Sequence, residues 1–268
     1  MSATLGGLIK DYRQQKNIPQ MEIAFALGWS EPSRLSRIEQ GKVGTPSRTF
    51  IDRLAQAMRL EEEEKNQLLL VGNYLPSTEE IEHVRSQLHD SIHNWSFPAI
   101  LYDFSWRVAD ANQRVINIYH QGNGFYSEIL KKDITILDVV FNQEFILNRN
   151  LTIEEDKKRR NFLQFMLASY QQIQRNRTKE SWYIAQIRRL LPNPLFRELW
   201  QEIATNKVVV LIGYYGQKSV IEPNASGKIL NFYFFIESVI KDPRFSVELY
   251  VPADIETFAY FQNNLSRQ

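Results

Sequence analysis

The chain has 268 residues, of which 43% are hydrophobic and 12% aromatic, enough to form the cores of two domains and too many for a largely disordered protein. It contains no cysteine, which excludes disulfides, thiolate metal sites and a cysteine nucleophile. The net charge is +1, but residues 1–59 hold nine basic and five acidic side chains and precede Glu61–Glu64, an asymmetry that suits a polyanion-binding face or ordinary surface charge.

Helical spacing of apolar residues predicts five short helices in the first seventy residues. The third helix is expected to start from an N-cap at Ser30, with Pro32 in its first turn, and to end at Gly41, as the second ends at Gly28. The five predicted helices cover residues 4–16, Gln20–Leu27, the stretch after Ser30, Ser47–Leu60 and Lys65–Val71.

Two short helices joined by a turn that contains glycine form the helix-turn-helix pattern. Residues 20–28 (QMEIAFALG), 35–41 (LSRIEQG) and 50–60 resemble the XRE, or phage-repressor-like, DNA-binding domain, and the match covers residues 4–72. The turn from Gly28 to Leu35 is one residue longer than in that family. The resemblance implies an all-α five-helix domain in which Arg13 and Glu39 form a buried ion pair.

The third helix of such a domain lies in the major groove with its outward side chains on base edges. An arginine there can make a bidentate contact to guanine, while phosphate contacts from neighbouring segments hold the register. The alternative is a protein-binding module whose arginines lie in solvent. The predicted DNA-binding residues are Ser33, Arg34 and Arg37 for bases and Gln20, Lys42, Thr45 and Arg48 for the backbone.

A connecting helix is predicted from Pro76 to Trp95, which divides the chain into residues 1–73, 74–95 and 96–268. Such a helix could transmit motion or pair with its twin in a homodimer. His89 and His93 are four residues apart, as in a metal-binding pair. His83 is off their face and no third ligand follows nearby, so no metal site is predicted.

From Phe97 onward the order of elements predicts an α+β domain with an antiparallel sheet. Two strands and a helix capped by Asn112 come first, helices follow, and strands return at the end. The predicted later elements are a helix whose inward stripe holds Phe162, Phe165, Met166, Ser169, Tyr170 and Ile173, helices at Trp182–Leu191 and Pro194–Ile203, and strands at Val208–Tyr215, Ile229–Glu237 and Phe245–Val251.

Residues 97–103 (FPAILYD), 106–112 (WRVADAN), 194–200 (PLFRELW) and 229–235 (ILNFYFF) resemble the MmyB-like domain, a PAS-like ligand-binding module that follows an XRE domain in bacterial regulators. The approach to the 229–235 strand lacks the family's histidine, and the tail beyond Val251 is longer. The resemblance implies a fatty-acyl ligand in the core of this domain.

Aromatic side chains could line an apolar cavity for such a ligand, although aromatic stripes at helical spacing are more often plain core. A ligand carboxylate would need a cation or hydroxyl at the cavity mouth, and Arg107, Tyr102 and Arg114 are candidates. The candidate lining residues are Phe104, Trp106, Phe141, Phe145, Phe162, Phe165, Met166 and Trp182.

The sequence therefore predicts a dimeric, sequence-specific transcriptional regulator whose partners are double-stranded DNA and a hydrophobic effector, with a bound fatty acid as one candidate. The alternative is a regulatory scaffold whose C-terminal domain binds a partner protein. No paired acid/base, nucleophile or phosphate-loop motif occurs, so no enzyme is expected. We expect the protein to be cytoplasmic and not to bind a membrane, because no apolar run approaches about 20 residues and no signal-peptide pattern is present.

Overall fold

The structure is a computed structural model that describes residues 4–119, 133–141, 153–205, 215–221 and 229–265. The chain divides into two compact units. The first comprises the chain up to Thr78 together with Ser238–Phe245, and the second comprises Glu79–Glu237 and the chain from Ser246 onward. Phe145 and most of the strand predicted at Val208–Tyr215 lie outside the described residues.

Five helices form the first unit, as the apolar spacing predicted. They are α1 (Leu5–Gln15), α2 (Gln20–Ala26), α3 (Ser33–Glu39), α4 (Arg48–Ala57) and α5 (Glu62–Val71).

Two helix starts differ from prediction. Ser30 is not a cap, because α3 begins only after Pro32, which has no side-chain cap bond and keeps the preceding residues in the turn. Helix α5 begins three residues earlier than predicted, because Glu61 and Glu64 form a reciprocal capping box.

Glycines determine two helix ends and one close packing contact in this unit. Gly28 and Gly41 adopt φ of 81° and 66°, the left-handed conformation that ends α2 and α3 without a side-chain penalty. Gly6 lets α1 lie directly on the end of α3, since a Cβ there would be 2.3 Å from the Ile38 carbonyl oxygen. The core between the helices contains Leu8, Ile9, Tyr12, Ile23, Leu27, Leu35, Ile38, Ile51, Leu54, Met58, Leu68 and Leu69.

The segment Ser238–Phe245 joins the first unit through a buried polar cluster on α5. Arg244 is fully buried and binds both carboxylate oxygens of Asp242, through Nε at 2.9 Å and Nη2 at 2.7 Å. Its Nη2 also donates to Asn66 Oδ1 at 3.2 Å, and the Asn66 amide donates to the Lys241 carbonyl at 3.0 Å. A charged side chain of this short segment is thus neutralised and bonded inside the first unit.

The second unit combines helices with a five-stranded sheet, an α+β architecture. Strand order is β2-β1-β5-β4-β3, with β1–β2 and β3–β4 antiparallel. The strands are β1 (Ala99–Asp103), β2 (Val108–Ala111), β3 (Tyr215–Ile221), β4 (Ile229–Ser238) and β5 (Phe245–Pro252). The helices are α6 (Thr78–His93), α7 (Gln113–Tyr119), α8 (Ile136–Phe141), α9 (Ile153–Ile173), α10 (Ser181–Leu190), α11 (Pro194–Thr205) and α12 (Ile255–Leu265).

The stripe predicted on α9 is confirmed except at Phe165, which is 41% exposed: Ser169 and Tyr170 are buried, and Phe162, Met166 and Ile173 pack against the core. Leu163 and Leu167, which were not part of the predicted stripe, are buried as well. Apolar residues cover several faces of this helix, so spacing alone allowed more than one inward stripe. The buried side of this region also makes polar contacts. The Tyr170 hydroxyl donates to Gln186 at 2.8 Å, and Gln174, the residue directly after α9, donates to the Phe104 carbonyl at 2.6 Å.

Asn112 caps α7 as predicted, since its Oδ1 accepts from the Val115 amide at 3.2 Å. Helix α12 at the end of the described chain was not predicted. None of the described helices combines the length and the apolar character that crossing a bilayer requires.

Candidate functional site

A three-residue network joins α1, α2 and α3 in the first unit. Arg13 donates to both carboxylate oxygens of Glu39, from Nε at 2.6 Å and from Nη2 at 3.0 Å. The Glu39 side chain is only 3% exposed, so the predicted buried ion pair is confirmed. Gln20 adds a third bond, 2.7 Å long, from Nε2 to Glu39 Oε2. The network holds the start of α2 and the end of α3 in a common arrangement.

Helix α3 buries one face and exposes the face that carries its arginines. Leu35 and Ile38 are buried in the core, while Ser33, Arg34 and Arg37 are exposed. The exposed side chains therefore lie on the outward face, as a recognition helix requires.

Trp29, in the turn before α3, orients Arg34 and was not singled out by the sequence analysis. The Arg34 guanidinium carbon lies 4.7 Å from the centroid of the Trp29 ring. Trp29 in turn stacks on Phe50 of α4, with ring centroids 5.8 Å apart and an interplanar angle of 8°. This stack limits the positions of a long flexible side chain before any partner arrives. In the sequence, the only indication of this contact is that an aromatic residue, Trp29, shortly precedes the helix that carries the arginines.

Basic side chains of this unit separate into paired and unpaired groups. Lys16 pairs with Glu64 and Lys65 with Asp52, at 2.8 Å each. By contrast, Arg37 and Lys42 are exposed and make no side-chain ion pair or hydrogen bond among the described residues. Their charge is therefore directed to solvent and available to an external anion.

Several predicted phosphate-binding residues also have roles inside the unit. The Gln20 side chain is bonded to Glu39, so a phosphate contact there remains a prediction for its backbone N–H. Arg48 donates from Nη1 to the Leu75 carbonyl at 2.8 Å and is half-buried. Lys42 and Thr45 are both exposed in the segment between α3 and α4. Ser33 donates to Glu31 at 2.7 Å, which positions its hydroxyl at the start of α3.

The candidate ligand-binding residues of the second unit do not form one group. Some belong to its hydrophobic core, and others lie outside that core. Tyr102, Trp106 and Phe141 are buried in it, Phe162 and Met166 pack against it, and Phe104, Phe165 and Arg107 lie outside it.

Arg107 is occupied by two carboxylates. Its Nε donates to Asp103 Oδ2 at 3.0 Å, and its Nη1 binds Asp133 Oδ1 at 3.0 Å. Asp103 also accepts from the Ser105 amide at 2.9 Å, which shapes the tight turn between β1 and β2. Trp106 in this turn has φ of 67°, a strained conformation for a bulky residue, and packs edge-on against Tyr170.

Phe104 contacts Trp182, which packs against the hydrophobic core, and the guanidinium group of Arg177. The rings of Phe104 and Trp182 meet edge to face at 5.7 Å, and the Arg177 guanidinium lies 4.7 Å from the Phe104 centroid. Burial lowers the pKa of Arg177 from its ordinary value, with Glu180 opposing the shift. The Trp182 indole nitrogen is buried and has no hydrogen-bond partner among the described residues. A buried N–H donor of this kind needs an acceptor.

Comparison with known proteins addresses the first unit. A family model described as a helix-turn-helix domain matches residues 4–68. A search of curated proteins found none that matches the chain. The matched residues include α1 to α4 and most of α5, with the Arg13–Glu39 network and the exposed arginines of α3. Residues 4–68 are a helix-turn-helix DNA-binding domain.

Proposed function

We propose that this protein is a sequence-specific, DNA-binding transcriptional regulator and not an enzyme. The observation that carries the proposal is the outward face of α3, where Arg34 and Arg37 are exposed next to buried Leu35 and Ile38 within a helix-turn-helix domain. Arg37 makes no intramolecular ion pair among the described residues, and Trp29 holds Arg34. Both guanidinium groups can therefore bind an external partner with little loss of internal contacts.

The guanidinium groups would act by different routes. Arg37 would insert into the major groove and donate two parallel hydrogen bonds to guanine O6 and N7. Arg34, which is oriented on Trp29, would lose less conformational freedom on binding. Lys42 and Thr45, exposed after α3, would contact the flanking phosphates and hold the register.

The test begins with selection of bound sequences from a random duplex library by the full chain. With the selected duplex, Arg37→Ala is expected to weaken specific binding by about 5- to 150-fold, since one bidentate contact contributes about 1–3 kcal/mol. Binding to unrelated duplex DNA should change little, because non-specific affinity comes from phosphate contacts.

Arg37→Lys is the matched control, since it keeps the charge and removes the planar fork that reads guanine. We expect it to lose specificity as Arg37→Ala does and to keep the salt dependence of the parent. If Arg37→Ala and Arg34→Ala both bind the selected duplex as tightly as the parent, α3 is not the reading helix. Circular dichroism of each variant verifies the fold.

We propose further that the second unit binds a hydrophobic effector with an acceptor group, for which a fatty acid is one candidate. The buried Trp182 N–H beside Phe104 supports this, because a carbonyl or carboxylate oxygen could accept from it. Arg107 is the weaker anchor for an anionic ligand, because Asp103 and Asp133 already neutralise it.

Denaturing extraction of the purified full chain, followed by mass spectrometry, tests the effector proposal. A copurified amphiphile is expected, and Trp182→Phe should lower its occupancy, because that change removes the donor and keeps an aromatic ring. Tyr183→Phe is the control, since it alters an adjacent ring without affecting the indole N–H. An absence of any extracted ligand, together with no binding of added fatty acid, would reject the proposal.

A homodimer is part of the proposal, because helix-turn-helix proteins commonly read two half-sites one helical turn of DNA apart. Light scattering of the full chain, with and without the selected duplex, measures the stoichiometry. Two chains per duplex and a palindromic selected sequence are expected. The alternative, a scaffold that binds a partner protein, requires weak DNA binding with a shallow salt dependence instead of the steep one that phosphate contacts produce.

A further inference from the structure

Two histidines near the end of α6 meet an aspartate of β2 within the second unit. His89 and His93 are one helical turn apart, and their rings stack with centroids 4.2 Å apart. His93 Nε2 lies 3.1 Å from Oδ2 and 3.2 Å from Oδ1 of Asp110. One potential ligand atom from each of the three residues lies within 4.8 Å of the others.

Asp110 is oriented before any ion arrives. Its side chain is fully buried, and its Oδ1 accepts a hydrogen bond from the Ala111 amide at 2.8 Å. A buried carboxylate needs polar partners, and the His93 imidazole is one of them. A hydrogen bond from the backbone to a metal-binding carboxylate orients it and tunes its affinity for a metal.

The spacing is close to that of a metal centre. Zn²⁺ binds imidazole nitrogen and carboxylate oxygen at about 2.0–2.2 Å, so its tetrahedral ligand atoms are separated by about 3.3–3.6 Å. His93 and Asp110 are already nearly that close. His89 is exposed, so its ring can rotate to complete the set without disturbing the core.

We propose that His89, His93 and Asp110 bind a divalent transition-metal ion such as Zn²⁺, with water in the remaining coordination position. Two imidazoles and one carboxylate favour Zn²⁺, Co²⁺ or Ni²⁺ over Mg²⁺ and Ca²⁺, which prefer oxygen ligands. The bound ion ties the end of α6 to β2. This site is independent of DNA reading by α3 and of the effector proposal.

The competing interpretation is a His93–Asp110 ion pair to which His89 contributes nothing. The metal site and the ion pair differ in the role of His89: the metal site needs its imidazole as a ligand, and the ion pair does not. His89→Ala is also the safest substitution, because the side chain is exposed on a helix. His83→Ala is the matched control, since His83 is exposed on the same helix, outside the cluster, and bonded to Gln87 at 2.8 Å.

The experiment uses the untagged full chain, freed of metal with a chelator and titrated with zinc chloride by calorimetry near neutral pH. We expect stoichiometric binding of one ion per chain, and binding at least about 10-fold weaker in His89→Ala, because loss of a ligand costs no less than loss of an outer-shell partner. His83→Ala should match the parent, and magnesium chloride should produce no stoichiometric binding.

Cobalt absorption gives a second readout that a structural ion pair would not affect. Co²⁺ added to the parent should produce visible bands that change in His89→Ala and remain in His83→Ala. The proposal is overturned if the parent binds no stoichiometric zinc, if His89→Ala binds as tightly as the parent, or if both histidine variants lose affinity equally. Asp110→Asn, examined for folding by circular dichroism, should also lose the cobalt bands.

Discussion

Glu39 connects three helices of the DNA-binding domain through one carboxylate. It accepts from Arg13 of α1 and Gln20 of α2, and it lies at the end of α3, whose other face carries Arg34 and Arg37. The position of α3 therefore depends on a buried charge pair. Removing one partner of such a pair leaves the other charge buried without compensation.

Glu39→Ala is expected to lower the free energy of unfolding of the first unit by about 3–5 kcal/mol, because Arg13, whose side chain is only 13% exposed, would lose its carboxylate partner. Denaturant unfolding monitored by circular dichroism measures the change. Glu31→Ala removes an exposed carboxylate from the turn before α3 and serves as the control. Equal unfolding midpoints for the two variants would contradict this role of Glu39.

Arg244 in the Ser238–Phe245 segment also belongs to a buried ion pair, with Asp242. Arg244→Ala would leave Asp242 buried without its cation and Asn66 without one donor, so a loss of about 3–5 kcal/mol is expected. Lys241→Ala removes an exposed cation from the same segment and retains the carbonyl that accepts from Asn66. Chemical denaturation should separate the two variants, and an Arg244→Ala protein as stable as the Lys241→Ala protein would refute the prediction.

At the scale of elements, the close packing of α1 on α3 depends on the absence of a side chain at Gly6. A Cβ there would be 2.3 Å from the Ile38 carbonyl oxygen and 2.9 Å from that of Glu39. These are backbone atoms, which cannot move aside without shifting the end of α3. The contact therefore couples the position of α1 to that of α3.

Gly6→Ala is expected to destabilise the domain by about 1–3 kcal/mol, the usual cost of overpacking, although alanine favours helix more than glycine does. Gly44→Ala is the control, because an added Cβ at Gly44 would meet no atom within 4 Å. Thermal unfolding of both variants provides the measurement. A stabilised Gly6→Ala protein would show that helix propensity exceeds the steric cost and that α1 can shift.

At the scale of the whole molecule, the chain passes between the two units three times, near residues 78, 237 and 245. The units differ in what stabilises them. The first has a compact aliphatic core with a single buried tyrosine, whereas the second buries many aromatic side chains, among them Tyr102, Tyr170 and Tyr183. Burial of their hydroxyls makes the second unit sensitive to alkaline pH.

Burial raises the pKa of Tyr102, Tyr170 and Tyr183 above the ordinary value of 10.0. The folded protein therefore keeps these protons after the unfolded chain has lost them. The contribution of these protonated tyrosines to the free energy of unfolding is fully present below about pH 10. It falls as the pH rises toward the pKa values of the folded protein. Tyrosinate absorbance from these residues should appear together with the loss of near-ultraviolet circular dichroism, and a gradual titration before unfolding would contradict the expected burial.

Periodicity alone determined the helices of the DNA-binding domain and the inward position of Leu35 and Ile38, because a buried helical face repeats every three to four residues. It also identified Arg34 and Arg37 as outward residues. The arrangement of Arg34 on Trp29 involves side chains from the turn before α3, and Phe50 supports it from α4. No local pattern encodes such a contact between distant segments.

The start of α3 and the buried face of α9 were not predicted completely from the local sequence. Ser30 has the chemistry of a cap, but Pro32 and the turn delay the helix to Ser33. On α9, apolar residues lie on several faces, and packing buries Leu163 and Leu167 together with the predicted Tyr170 and leaves the predicted Phe165 exposed. Propensity and spacing leave such choices open, because their energies are similar until tertiary contacts are added.

A helix-turn-helix domain followed by an α+β unit could be predicted from the sequence, since amphipathic spacing and turn residues act over short distances. Which polar residues meet depends on the tertiary fold. Asp110 lies beside His93 although 17 residues separate them, and Arg244 reaches Asn66 across 178 residues. Such pairs form only when the whole core has brought distant strands and helices together, because each bond contributes too little to order the intervening chain.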